Sequence, residues 1–125
     1  MKKVKGSFEV NLTPAQDEID MGRFLLDKTY EGPLSGSAKG QMLSHRTEVE
    51  GSAGYVALEL FEGELEGKQG GFSLVHKGLM ENGTNSLNIN IIPNSGTGQL
   101  KGISGVLGII IEACQHFYEL SYEID

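Results

Sequence analysis

The chain has 125 residues, a net charge of −7, a pI of about 4.9, 18 glycines, 3 prolines and one cysteine. This length predicts a single domain, residues 1–125, that is long enough to bury a core. We expect no nucleic-acid partner, because the ten basic residues are scattered and phosphate binding needs clustered Lys and Arg. We expect no membrane partner either, because no apolar run approaches the roughly 20 residues of a membrane-spanning helix.

Eight segments alternate apolar with polar residues and are separated by turns rich in glycine, which is the pattern of β-strands. In chain order these predicted strands are 4–12, 23–30, 37–49, 55–65, 72–80, 85–92, 99–111 and 116–124. After the first strand, the acidic run with Asp17, Glu18 and Asp20 predicts a solvated loop, since it lacks the ligand order of an EF-hand. No window repeats every 3.6 residues, so little helix is expected.

Eight antiparallel strands joined by short turns predict an all-β fold, an eight-stranded up-and-down β-barrel. Closing the sheet into a barrel removes both of its edges. The interior of such a barrel is just wide enough to be filled by side chains or to hold one small ligand.

The single cysteine and the amino-terminal segment both predict a cytoplasmic location. Cys114 has no partner for an internal disulfide and is interpreted as a structurally neutral thiol. The start, M-K-K-V-K-G-S-F-E-V, is basic but is not followed by the apolar stretch of a signal peptide.

Turn positions predict which residues face each other across the strands. A turn at Gly67-Lys68 places Glu59 opposite His76. A turn at Gly51-Ser52 places Ser44 opposite Glu59, with Arg46 diagonal to Glu59 and within its reach. A turn at Ala113-Cys114 pairs three further positions: Ile111 with His116, Ile109 with Tyr118 and Leu107 with Leu120.

Each of these hairpins gives one coherent face, which we interpret as the lumen. Its apolar members are Phe61, Phe72, Leu74, Ile89, Ile109 and Leu120. Its polar members are Ser44, Arg46, Glu48, Glu59, His76, His116 and Tyr118. All of these except Glu48 are candidate ligand-binding residues.

The polar cluster has two interpretations. In the functional one, Glu59 and His76 form an acid/base pair and Arg46 holds a substrate anion or an oxyanion. In the other, the same residues form a buried network that satisfies itself and only supports the barrel. No metal or other cofactor is predicted, because His45 points to the opposite face from His76 and the chain lacks a close H-x-H pair.

Five motifs carry a resemblance to a known family. They are G-x-M-L-x-x-R-T, G-S-A-G-Y-V-A-L-E, F-x-L-x-H-x-G-x-M, P-x-S-G-T-G-x-L-x-G-I-x-G and H-x-Y-x-L-x-Y, in this order from Gly6 to Ile124. The chain resembles a bacterial family of unknown function whose fold is similar to the allene oxide cyclase and dirigent-type β-barrels. The resemblance implies an oligomeric eight-stranded barrel and implies no activity.

The sequence therefore supports two functional hypotheses. In the first, the lumen holds a small, largely apolar ligand that Arg46, Glu59, His76 and Tyr118 orient, as a binder or as an isomerase or cyclase. In the second, large side chains fill the lumen and the barrel is a structural or interaction module. Under both we expect a homo-oligomer, because Val56, Leu58 and Leu60 project outward as an apolar stripe.

Overall fold

A computed structural model of the chain describes residues 1–16, 19 and 21–125. It is an all-β closed barrel of eight antiparallel strands that follow one another in chain order, which confirms the predicted fold class. The strands are β1 (Lys2–Pro14), β2 (Gly22–Glu31), β3 (Leu34–Arg46), β4 (Ala53–Leu65), β5 (Lys68–Glu81), β6 (Thr84–Ile91), β7 (Ile103–Glu112) and β8 (Gln115–Ile124). The acidic loop predicted around Asp17, Glu18 and Asp20 lies outside the described residues.

Each strand presents alternate residues to the interior, and the two ends of the barrel differ. At one end, which we call the closed end, Leu34, Leu65 and Leu100 have no exposed surface. Leu100 belongs to a single 3-10 turn, Gly98–Leu100, which lies between β6 and β7 and packs against β5. At the opposite end, the mouth, inward residues such as Met42 and Tyr55 are only half-buried. None of the helical structure in the described chain has the length and apolar character needed to cross a membrane.

The seventh strand starts later than predicted, at Ile103 rather than at residue 99. The residues before it are held against β5 by side-chain acceptors: the Thr97 hydroxyl accepts from the Gly71 N–H at 2.9 Å, and the Ser95 hydroxyl accepts from the Ser73 N–H at 3.0 Å. Through these contacts the segment before β7 covers the closed end of the barrel instead of pairing as a strand.

The predicted register of β7 with β8 is confirmed, and that of β4 with β5 is wrong by two residues. Ile111 pairs with His116 as expected. In the other hairpin Leu65 pairs with Lys68, so the turn residues are Glu66 and Gly67, with φ of 48° and 85°. A tight turn with both central residues in the left-handed region needs glycine at one of them, which favours this turn over the predicted one.

The predicted register of β3 with β4 is wrong by four residues. β3 ends at Arg46, which pairs with Ala53, and residues 47–52 form a loop rather than a two-residue turn. The loop closes on itself, since the Thr47 N–H donates to the Ser52 carbonyl at 3.1 Å. Gly40 sits opposite Glu59, where a Cβ would lie 1.8 Å from the Leu58 carbonyl oxygen, so this close approach of the strands requires glycine.

Both registers are shifted by an even number of residues, so the predicted inner and outer faces of β3, β4 and β5 are retained. Phe61, Phe72 and Leu74 lie in the core as expected. On the outside, Val56, Leu58 and Leu60 are exposed by 51%, 55% and 63%, as predicted. What changes is which inward residues meet along the barrel axis.

Candidate functional site

Three charged or titratable side chains meet inside the barrel around one carboxylate. Oxygen Oε2 of Glu59 lies 3.1 Å from Nζ of Lys28 and 2.5 Å from Nε2 of His76. Its other oxygen accepts a hydrogen bond from the hydroxyl of Tyr30. Glu59 is completely buried, and Lys28 and His76 are each only 3% exposed. We call these four residues the buried cluster.

Small residues on the intervening strand make this meeting possible. Lys28 on β2 pairs with Ala38 on β3, and Glu59 on β4 pairs with Gly40 on β3. Because β3 presents only a methyl group and a hydrogen there, the Lys28 side chain reaches across it to the carboxylate. His76 pairs with Ala57 and is therefore diagonal to Glu59, where the small neighbour leaves room for the imidazole.

Burial and the neighbouring polar groups act in opposite directions on the pKa values of Glu59 and Lys28. Burial would raise the pKa of Glu59, but the hydrogen bond from His76, the charge of Lys28 and the hydrogen bond from Tyr30 outweigh it, and the pKa lies below its usual range. Burial lowers the pKa of Lys28, against the attraction of the Glu59 carboxylate. The Lys28 ammonium also lies 4.7 Å from the centre of the Phe8 ring, a favourable cation–π distance.

Tyr55 links the buried cluster to the mouth. Its hydroxyl lies 3.4 Å from Nδ1 of His76, the ring nitrogen that does not face Glu59. The ring of Tyr55 lies over Gly78, where a Cβ would come within 2.2 Å of the ring, so a larger residue at position 78 would displace Tyr55. Burial and the charge of Glu59 together raise the pKa of Tyr55, which keeps the hydroxyl protonated.

A cavity of about 1030 Å³ occupies the mouth, and Tyr55 is one of its walls. Most of its lining is apolar and comes from the ends of β1 to β6, including Phe24, Met42, Leu79 and Leu87. Arg46 adds a cation at the rim, and among the described residues that line the cavity none is acidic. A concave, mainly apolar site with a few polar groups is typical of small-molecule binding.

The structure separates the predicted polar residues into different places. Glu59 and His76 meet in the core as expected, whereas the prediction that Arg46 reaches Glu59 is wrong, because β3 is shifted by four residues. Arg46 and Ser44 instead line the mouth cavity. Glu48 is exposed in the loop after β3, not in the lumen.

His116 and Tyr118 lie away from the buried cluster. The half-buried ring of His116 packs on Phe8 with 5.3 Å between centroids. The hydroxyl of the fully buried Tyr118 accepts from the Leu34 N–H at 2.9 Å and lies 3.1 Å from the carbonyl oxygens of Glu31 and Leu34. In this structure Tyr118 thus holds the β2–β3 turn, and a ligand role for His116 or Tyr118 stays a prediction.

Sequence reasoning missed Lys28, Tyr30 and Tyr55. The signal for Lys28 was present, because in the predicted strand 23–30 it shares one face with Phe24, Leu26 and Tyr30. A lysine between apolar residues on an inward face needs a buried counter-charge, and Glu59 is the matching carboxylate two strands away.

The buried cluster needs no ligand to satisfy its polar atoms. Within the described residues no buried side-chain nitrogen or oxygen lacks a hydrogen-bond partner. The histidines also stay apart, and no group of three His, Cys, Asp or Glu residues in the described part of the chain is arranged to hold a metal ion. The part of the site that is open to a ligand is therefore the mouth cavity with Tyr55 and Arg46.

Comparison with known proteins agrees with this fold. No curated protein matches the sequence. Among solved structures, the chain is similar to the crystal structure of a protein of unknown function from the DUF3224 family of Shewanella oneidensis MR-1. The two share 46% sequence identity over 100% of this chain and 98% of that chain, with a TM-score of 0.96. Residues 3–122 match the family described as "Protein of unknown function (DUF3224)". The expected membership in a bacterial family of unknown function is thus confirmed: the chain belongs to the DUF3224 family.

Proposed function

We propose that the barrel binds a small, largely apolar carboxylate in its mouth cavity. The observation that carries the proposal is the cavity of about 1030 Å³, whose described lining is mainly apolar and includes Arg46 and Tyr55. The apolar wall removes the ligand's hydrocarbon part from water, at about 25 cal/mol per Å² of buried surface. Arg46 and Tyr55 supply donors for the carboxylate.

The charge of the lining supports an anionic head group over a neutral or cationic one. Arg46 makes no ion pair with any described residue, so its guanidinium is available to a ligand. The resemblance to allene oxide cyclase-like barrels is consistent with a ligand in the barrel. It supplies no chemistry for this chain, since that likeness concerns the fold alone.

The test compares three eight-carbon ligands that differ only in the head group: octanoate, 1-octanol and octylamine. Each is titrated against the protein by calorimetry and by displacement of the fluorescent anion 8-anilinonaphthalene-1-sulfonate. We expect octanoate to bind most tightly. Arg46→Gln should weaken octanoate by about 2- to 5-fold, because the lost pair lies at an exposed rim.

Lys101→Gln is the matched control, since Lys101 is an exposed cation that follows the 3-10 turn at the closed end, away from the mouth. It changes the net charge by the same amount and should leave octanoate affinity unchanged. Equal weakening by both variants would show a general charge effect and would contradict a specific anion site. Absence of binding by all three ligands would favour the second function, a packed structural module, for which the filled core of Phe61, Phe72 and Tyr30 is the supporting observation.

We also propose that the chain forms a homo-oligomer through the outer face of β3, β4 and β5. Leu58 pairs with Val75 and Val56 with Leu43, so the exposed apolar side chains form one continuous patch. Every copy exposes the same patch, and a two-fold axis lets two patches cover each other. Sedimentation should show a dimer or a larger assembly. Leu58→Lys should dissociate this assembly, whereas Ile111→Lys, on the exposed end of β7, should leave it intact. A wild-type monomer would contradict the proposal.

We infer a cytoplasmic location from the single cysteine. Cys114 is free and exposed, a state that a reducing compartment preserves. Cell fractionation with an antibody against the chain tests this, and recovery in an oxidising compartment would refute it.

A further inference from the structure

One carboxylate in the core faces two groups that can carry a positive charge. Oε2 of Glu59 contacts both Nζ of Lys28 and Nε2 of His76, at 3.1 Å and 2.5 Å. With Lys28 and Glu59 ionised and His76 neutral, the buried cluster has no net charge. A proton added to His76 would leave one uncompensated positive charge in the core, which is costly in a medium of low polarity.

The charge of His76 also sets the direction of its hydrogen bond with Tyr55. A neutral imidazole carries one N–H, and the Glu59 carboxylate holds it on Nε2, so Nδ1 is an acceptor. Tyr55 must then donate its hydroxyl hydrogen to Nδ1 and has none to offer the cavity. When His76 is protonated, Nδ1–H donates to the Tyr55 oxygen instead, and the hydroxyl hydrogen is free to point at a ligand.

We propose that binding of a carboxylate in the mouth cavity is coupled to the uptake of one proton by His76, with Tyr55 as the link between them; this inference rests on the proposed ligand site. The proton comes from the buffer and ends on Nδ1 of His76, and no covalent bond breaks. The ligand's negative charge compensates the second positive charge of the cluster. Tyr55, turned by the imidazolium, donates its hydroxyl hydrogen to the carboxylate.

Few other groups near His76 can take part in this exchange. Among the described residues, the titratable side chains that contact His76 are Glu59 and Tyr55 on β4, and Lys28 and Tyr30 on β2 contact the same Glu59 carboxylate. The inward residues of β3 and β6 nearest to it do not titrate: Gly40, Met42, Leu87 and Ile89. His45 lines the cavity and is exposed at its rim.

Calorimetry of octanoate binding in two buffers with different ionisation enthalpies, phosphate and Tris at the same pH, counts the protons taken up. For the wild type we expect uptake that approaches one proton. Because the bound state holds more protons, octanoate affinity should be highest at low pH and should fall as the pH rises. Binding of 1-octanol, which brings no charge, should take up no proton.

Three variants assign the proton. Tyr55→Phe, at the half-buried mouth, should keep the fold and lose the proton uptake. His76→Gln should also abolish uptake, since its amide can donate to Glu59 but cannot titrate. His45→Gln should retain it. Octanoate binding without uptake in the wild type, uptake that survives Tyr55→Phe or His76→Gln, or loss of uptake in His45→Gln would overturn the coupling while leaving the proposed function intact. Absence of octanoate binding would overturn both.

Discussion

Replacing Glu59 by glutamine tests the buried cluster most directly. The substitution preserves shape but leaves the Lys28 ammonium, which is only 3% exposed, without its counter-charge. Breaking a buried pair from one side typically costs about 3–5 kcal/mol. Unfolding entropy of about 2.1 cal/mol/K per residue over 125 residues gives about 4 °C of Tm per kcal/mol. We therefore expect Tm to fall by about 12–20 °C.

Thermal and urea unfolding at neutral pH measure this loss against a matched control. Glu62→Gln changes an exposed carboxylate three positions along the same strand and should cost less than about 0.5 kcal/mol. Adding Lys28→Met to Glu59→Gln should restore much of the stability, because it removes the stranded charge. A loss for Glu59→Gln no larger than for Glu62→Gln would refute the idea that the carboxylate holds the core together.

The same variant carries a pH signature with a definite sign. The pKa of Glu59 is lowered in the folded state, so its contribution to stability is fully present above the unfolded-state pKa of about 4.3 and is lost as the pH falls through the lower folded-state value. The stability gap between wild type and Glu59→Gln should therefore shrink on going from neutral pH to about pH 3. A gap that stays constant over this range would show that the carboxylate does not titrate as described.

Three further outcomes follow from single contacts. Gly40→Ala should destabilise the barrel strongly, because its Cβ would lie 1.8 Å from the Leu58 carbonyl oxygen. Gly108→Ala is the control and should be nearly neutral, because the atom nearest to its Cβ would be 3.9 Å away. Similar urea midpoints for the two variants would disprove the steric argument. Tyr118→Phe should cost about 1–3 kcal/mol by freeing backbone groups of the β2–β3 turn, and a change below that range would mean that water replaces the hydroxyl. The pKa of each of the four tyrosines is raised. For Tyr122, burial and the contact with Glu66 raise the pKa to about 12. Tyrosinate absorbance of the native protein should therefore appear only above about pH 10, and one tyrosine titrating near that value would contradict the structure.

Part of the candidate site was readable from the chain. The alternation of the fourth and fifth strands places Glu59 and His76 on the inner face, and the two residues do meet. Lys28 was readable by the same rule, as a lysine among inward apolar residues. Tyr55 lies on the same inner face as Glu59, but its contact with His76 depends on the absence of a side chain at Gly78, a relation across strands that no local pattern contains.

The sequence by itself determined the number of strands, their order and which face of each strand is buried. A period of two residues sets these faces, and it is insensitive to how far one strand slides along the next, provided the shift is even. The two wrong registers were shifted by two and by four residues, so the hydrophobic pattern fitted both the predicted and the observed pairing. Tertiary structure chose between them through the tight turn at Glu66-Gly67 and the close approach at Gly40. That choice moved Arg46 from the core to the mouth and brought Lys28 to the Glu59 carboxylate, because sliding a strand leaves its faces unchanged and changes its neighbours.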